Sequence, residues 1–270
     1  MTDTVSRSVH RSATYGFDLP KRMRLLRQWV RHDFDAKYRR SALSALWAVV
    51  QPFAVVLVYA FIFGVIFKQE GGDLPYLSYL LAGMILFRVV SNGLGVTTCL
   101  MDNYNLLGHS LFPRELLPLS KMAGASIELV ATVPALIIVA ALQGIHPQVT
   151  LLAMPLVIGS LLVFAAALCI VCSTIQVFVR DLQFVIGFVI TALFFASPIS
   201  YQPDQLPSWA AGLNSVNPIS VDIEALRDVA LRGQWPAWPL FGLHLVLGIA
   251  FLVLAIAHLR SVGHRMVDLG

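Results

Sequence analysis

Charge is scarce in this chain: Asp, Glu, Lys and Arg make up 13 % of its 270 residues, against 57 % hydrophobic ones. With a mean hydropathy of +0.75, that scarcity excludes an ordinary water-soluble domain and points to a helical protein that crosses a membrane several times. Cysteine is rarer still, at three residues. Cys99, Cys169 and Cys172 all lie in or at the ends of apolar segments. Cys169 and Cys172 spell C-x-x-C, but no His or acidic residue flanks them inside the span. They read as small packing residues, with neither a disulfide framework nor a metal site. No G-x-x-x-x-G-K-[ST] occurs, so this chain does not cradle nucleotide phosphates in that manner. The histidines at 10, 32, 109, 146, 244, 258 and 264 are scattered, without H-E-x-x-H or H-x-x-x-x-D spacing, and offer no converging acid, base or metal cluster. The first twenty residues lack the apolar core of a signal peptide, so an uncleaved N-terminus is expected.

Long apolar runs are what the chain does have. Six are of spanning length, near 45–67, 76–99, 122–142, 150–178, 184–201 and 237–259. The fifth is short and ends at Ser197-Pro198, and the fourth is long enough to tilt or protrude. An even number of spans places both termini on one side. Of 19 Lys and Arg residues, only Lys68, Arg227 and Arg232 fall in segments on the opposite side, and Arg88 lies within a span. The positive-inside rule therefore predicts cytoplasmic termini. The basic excess reflects topology and lipid headgroups, and nothing suggests nucleic acid. Ahead of the first span, Met23, Leu26, Trp29, Val30 and Phe34 share one helical face, opposite Arg24, Arg27, Arg31, Asp35 and Arg39. This pattern predicts an amphipathic helix lying at the membrane surface. Asp33 and Asp35 spell a D-x-D, but on a helix they point about 200° apart and could not chelate one ion together.

Residues 108–121, GHSLFPRELLPLSK, form a polar, proline-punctuated island between two apolar runs. Pro113 and Pro118 are expected to interrupt helix on either side of Arg114-Glu115, leaving a short stiff elbow at the membrane surface. Beyond the fifth span, residues 202–236 open with Pro203, Pro207 and Trp209. There Asn217-Pro218 predicts an N-cap with proline at the first helical position, and Gly233 a stop after Arg232. On that helix Ile219, Ile223, Leu226 and Ala230 make an apolar stripe, with Asp222, Glu224, Arg227, Asp228 and Arg232 placed elsewhere.

Four separated segments resemble one family. Phe112 to Pro118 is similar to the FPRE-x-LP signature that follows the second span in ABC exporter permeases for polysaccharides, O-antigens and teichoic acids. Residues 37–52, KYRRSALSALWAVVQP, resemble the KxRYxxSxLGxLWxxxxP entry to the first span of those permeases, with Ala45 in place of the usual glycine. Arg180-Asp181 before the fifth span, and SPISY (197–201) followed by NPISVDIEALRDVALRG (217–233), resemble further family segments, the last being a re-entrant helical hairpin at the outer mouth.

The resemblance implies an all-α subunit with six transmembrane helices and an external re-entrant hairpin, in a bacterial inner membrane. Residues 1–44 would be a cytoplasmic N-terminus, 45–262 the permease domain and 263–270 a cytoplasmic tail. The coupling segment would occupy 102–121 and the re-entrant segment 202–236. It also implies a homodimer working with two ATPase subunits, which bind the ATP and Mg, so this chain carries no cofactor, no metal and no catalytic residue. Phe112, Pro113, Arg114, Glu115 and Pro118 would couple to the ATPase. Tyr59 and Phe63 on the first span, Phe184, Phe188 and Phe195 on the fifth, and Tyr201 would border the path of a lipid-linked polysaccharide, whose sugar rings stack on aromatic faces. Arg88 heads a polar stripe with Ser91, Asn92 and Gly95, and Arg88 and Asn92 are placed beside that path. Glu128 is the acidic residue deepest in a span, and Arg88 and Glu128 are expected to pair, because lone charges in a bilayer are costly. A membrane-embedded acyl- or glycosyltransferase, an ABC exporter of small molecules or lipids, and a passive channel remain the alternatives on residues alone.

Overall fold

A computed structural model describes residues 23–31, 44–103, 113–207, 212, 214 and 216–267. Everything regular in them is helical, apart from one isolated bridge between Gly71 and Leu74. In chain order the helices are α1 (23–31), α2 (Ser44–Tyr59), α3 (Tyr76–Gly95), α4 (Cys99–Asp102), α5 (Leu116–Ala125), α6 (Glu128–Leu142), α7 (Met154–Phe178), α8 (Leu182–Ala196), α9 (Pro218–Arg227) and α10 (Trp238–Val267). A π-helical turn, Ala60–Ile66, continues α2, and a second one, Asp228–Arg232, continues α9. The chain is an all-α, multi-pass membrane protein.

Among the described residues, four stretches, rather than six, are both long and apolar enough to cross a bilayer: Tyr76–Gly95, Leu116–Leu142, Val149–Phe178 and Trp238–Gly263. The expected fifth span is a shorter apolar helix, Leu182–Ala196, and the expected first one is represented by Phe53–Ile66, the apolar later part of the helix that begins at Ser44. For α8 the cause is local. Pro198 pushes Ser197 into extended geometry (ψ 144°), which ends the helix after 15 residues. Fifteen residues reach about 22 Å, short of a hydrocarbon core of about 30 Å. In contrast α10 runs 30 residues, about 45 Å, and continues past the expected boundary at residue 262.

The expected third span is two helices. It breaks at Ser126-Ile127, where the Ser126 hydroxyl donates to the Met122 carbonyl at 2.7 Å two residues after Gly124, a pairing that bends helices. The proline expectation also needs correcting. Pro118 does not interrupt a helix: it is the third residue of α5, in the first turn, where a backbone N–H has no intrahelical acceptor to lose.

Helix α3 is the central post, with most of its residues buried against α7, α9, α6 and α8. Glycines let it come close to its neighbours. A Cβ on Gly93 would stand 2.9 Å from Met122 Sδ, and one on Gly83 would stand 3.2 Å from Ile199 Cα. Two apolar clusters result. The larger gathers α3, α7 and α9 around Tyr79, Leu86, Leu161, Ile199, Ile223 and Leu226. The smaller lies towards the other end of α3 and holds Cys99, Leu100, Leu117, Ala167, Ile170, Ala255, Leu259 and Met266, with Trp29 of α1 packed against it. The apolar residues Leu25, Leu26, Trp29 and Val30 are the less exposed ones of α1, while Met23, assigned to the same face, is exposed. Phe34, Asp35 and Arg39 lie outside the described residues.

Candidate functional site

Three groups of polar side chains are spaced along the bundle. The first is a knot around Arg227, at the end where α3 begins. Asn217 accepts a hydrogen bond from the Ile219 amide at 3.0 Å and starts α9, and Gly233, at φ 69° in the left-handed region, ends the π turn that follows. Their charge assigns Asp222 and Arg227 to the polar part of this helix. Instead both are buried, at 1 % and 0 % exposure. The reason is geometric. Position 227 is four residues beyond Ile223, and 222 is three beyond Ile219, so both lie within the apolar stripe and are carried inward between α3 and α7.

The Arg227 guanidinium is satisfied on every side. Nε and Nη2 donate to the Tyr79 carbonyl at 3.3 and 3.2 Å, Nη2 donates to the Ile199 carbonyl at 3.1 Å, and Nη1 donates to Glu224 Oε1 at 2.6 Å. The charge also lies 3.4 Å from the Tyr79 ring centroid. Gly83 makes the room, since a Cβ there would approach Arg227 Nη2 to 3.0 Å. Burial lowers the Arg227 pKa, while Tyr79 and Glu224 pull the other way. Around this centre Tyr79 donates to the Tyr201 carbonyl at 2.6 Å, Tyr76 to the Ser200 carbonyl at 3.0 Å, and Asn217 to Ser197 Oγ at 3.1 Å. The SPISY segment is thereby fastened to both α3 and α9. Arg232 adds an exposed bridge to Asp73 and closer ones to Glu224 and Asp228. Asp222 is less well provided. Ser160 is its hydrogen-bonding neighbour and Oδ1 has no partner, and burial pushes its carboxyl up to about 7.

The second group lies deeper along α3. Arg88 Nη2 donates to Glu128 Oε2 at 2.9 Å and Nε to the same atom at 3.2 Å, and Asn92 Nδ2 approaches it at 3.4 Å. Ser91 turns back to the Arg88 carbonyl. The Arg88 side chain keeps 20 % of its surface exposed and that of Glu128 10 %.

The third group is the elbow. Phe112 lies outside the described residues. Pro113, Glu115 and Pro118 are buried, and Arg114 is half-buried. Glu115 accepts from Arg260 Nη2 of α10 at 2.5 Å, so it faces the bundle rather than standing free. Sequence reasoning missed Arg260, because nothing in the spacing of 115 and 260 announces that α10 ends beside α5.

The aromatic residues separate into two kinds. Phe184, Phe188 and Phe195 are 73 %, 81 % and 60 % exposed and present an open face of α8. Tyr59 and Phe63 stack on each other and sit half-buried beside the core, Tyr59 at 5.1 Å from the ring of Phe194. Phe194, which periodicity did not single out, also meets Phe87 edge-on at 5.3 Å. Tyr201 is half-buried and donates to the Phe195 carbonyl at 2.9 Å.

Comparison with known proteins gives one consistent answer. The family model described as ABC-2 type transporter matches residues 24–231. The chain is 25 % identical over 203 residues to an O-antigen export system permease protein RfbA of Klebsiella pneumoniae, covering 74 % of this chain and 78 % of that one. A protein of the same name from Myxococcus xanthus is 29 % identical over 178 residues, covering 66 % and 68 %. With a match that spans both the elbow and the knot, this chain belongs to the ABC-2 type transporter family and is a membrane permease subunit.

Proposed function

We propose that the chain forms the membrane path of an ATP-driven exporter for a lipid-linked polysaccharide of the O-antigen type, in a bacterial inner membrane. The observation that carries this reading is the similarity, over three quarters of the chain, to permeases named for O-antigen export. Two copies associate and engage two ATPase subunits, which supply the nucleotide and Mg chemistry. Six segments cross or enter the membrane, α2 with its π turn and the short α8 included, and both termini face the cytoplasm, with α1 lying at the surface on its Leu25, Leu26, Trp29 and Val30 side. On this topology the Arg227 knot is a re-entrant plug at the outer mouth, and the elbow from Phe112 to Pro118 receives the push of the ATPase. The exposed Phe184, Phe188 and Phe195 face is where a second protomer or the sliding polymer meets α8, and Tyr59, Phe63, Arg88, Asn92 and Tyr201 border the same route. Aromatic faces suit a repeating polymer because stacking is tolerant of register.

The test is genetic and chemical. A strain lacking the chain should lose its surface polysaccharide and accumulate the lipid-linked polymer inside, and the wild-type chain should restore it. Normal surface polymer in that strain, with altered export of a lipid or small molecule instead, contradicts the assignment.

A further inference from the structure

The elbow is bound to the last helix at three points. Glu115, nearly buried, accepts from Arg260. Arg114 lies against the helix at Gly263, where a Cβ would stand within 3.2 Å of the guanidinium carbon. Two residues beyond Glu115, Leu117 is fully buried in the cluster that contains Leu259 and Met266. Residues 259, 260, 263 and 266 follow helical spacing, so they form one stripe of α10 turned towards the start of α5.

From these contacts we propose that Arg260 and Gly263 are positioning residues that join the elbow to α10, so that force arriving at the elbow moves the last helix together with α5. This rests on the coupling role given to the elbow above, and extends it to a helix more than a hundred residues away in sequence. The mechanical logic follows from the kind of contact. A charge-assisted hydrogen bond with one partner buried is directional and strong for its size. The missing side chain at Gly263 lets a flat guanidinium lie close against the helix. Together they resist both sliding and separation, which an apolar patch alone would permit. The two pairs belong to different residues of the elbow, so each can be broken separately.

The experiment uses the permease assembled with its ATPase partner. Surface polymer in cells is measured per assembled complex, and ATP hydrolysis is measured on the purified complex in phospholipid vesicles. Arg260→Glu should lower the ratio of export to hydrolysis by about tenfold, the loss of one strong ion pair plus a new repulsion. Exchanging the charges, Glu115→Arg with Arg260→Glu, should recover most of it. An exchange no better than Arg260→Glu alone overturns the proposal. Should the exchanged chain fail to assemble, Gly263→Val gives an independent reading, because its side chain occupies the place of the Arg114 guanidinium. A reduced ratio supports the proposal, and a wild-type ratio overturns it. The elbow itself is the control. If Arg114→Ala with Glu115→Ala uncouples hydrolysis from export while Arg260→Gln and Gly263→Val do not, the elbow couples but α10 is not its partner. If the elbow double variant also exports normally, the coupling role falls and this proposal with it.

Discussion

The two ends of α3 are built on different principles. At the Arg227 end, polar bonds to backbone carbonyls from several segments converge on one buried charge, and the surrounding apolar side chains close over it. At the elbow end, the cluster is small and apolar, and the polar link between Glu115 and Arg260 beside it uses an arginine whose side chain is 56 % exposed. A buried guanidinium held by carbonyls has essentially one low-energy arrangement, since any displacement leaves donors unpaired in a dry site. At the elbow end a directional ion pair holds α5 to α10, while the apolar cluster around it, being non-directional, lets the two shift together. The difference teaches where movement is admitted: the knot fixes one end of the bundle, and the elbow end is free to respond.

The largest effect should come from breaking the knot. Arg227→Ala leaves Glu224 Oε1 and the Tyr79 and Ile199 carbonyls without this donor, and removing one partner of a buried pair costs about 3–5 kcal/mol. Arg227→Lys should not restore it, because an ammonium on a flexible stem cannot reproduce the planar fork that reaches Tyr79, Ile199 and Glu224. Thermal unfolding of the detergent-solubilised chain would show a large fall for both. A wild-type midpoint for the lysine variant would mean that the carbonyl contacts contribute little.

Asp222 sharpens the same comparison through pH. Its carboxyl is raised from 3.8 to about 7 by burial, against the hydroxyl of Ser160. In the interval between those values the folded chain keeps a proton that the unfolded chain releases. The stabilisation is therefore complete below about pH 4, declines as pH rises towards 7, and changes no further above it. Asp222→Asn, which stays neutral throughout, should flatten this part of the stability profile relative to wild type. Parallel profiles would mean that Asp222 is ionised in the fold.

Between the two ends, Arg88 and Glu128 should give a smaller and more local effect. Each single alanine variant strands a charge, so each should destabilise, and the double variant should cost less than the sum by about 1–2 kcal/mol. Strict additivity in that double-mutant cycle would show that the contact contributes nothing by itself. The smallest effect is expected at Phe188. Being exposed, it can be changed to alanine with little loss of stability, and polymer flux should fall more than the amount of assembled protein does. Equal losses in both would assign it to packing.

Much of this architecture could be read from the residues. Run lengths located the apolar helices, and the Asn217 cap and the Gly233 stop were legible because both depend on local backbone chemistry. The π turn that continues α9 has no such mark. What stayed hidden depends on the third dimension. Arg227 and Asp222 sat in the apolar stripe by spacing, yet their charge argued for solvent, and only the carbonyls of Tyr79 and Ile199 and the gap at Gly83 explain why Arg227 is inside. Glu115 was legible as an elbow residue, whereas Arg260 was not legible as its partner, because contacts across 145 residues leave no periodicity. Pro118 misled in the opposite way: a helix breaker in general, it sits where the first turn tolerates it.

Hydrogen exchange on the assembled transporter, with and without ATP in the presence of vanadate, tests the contrast between the two ends most directly. Amides of 116–125 and 255–267 should change their protection when nucleotide is trapped, while those of 76–83 and 219–232 stay as they were. Equal changes at the Arg227 knot, or changes there alone, would contradict the account of one fixed end and one responsive end.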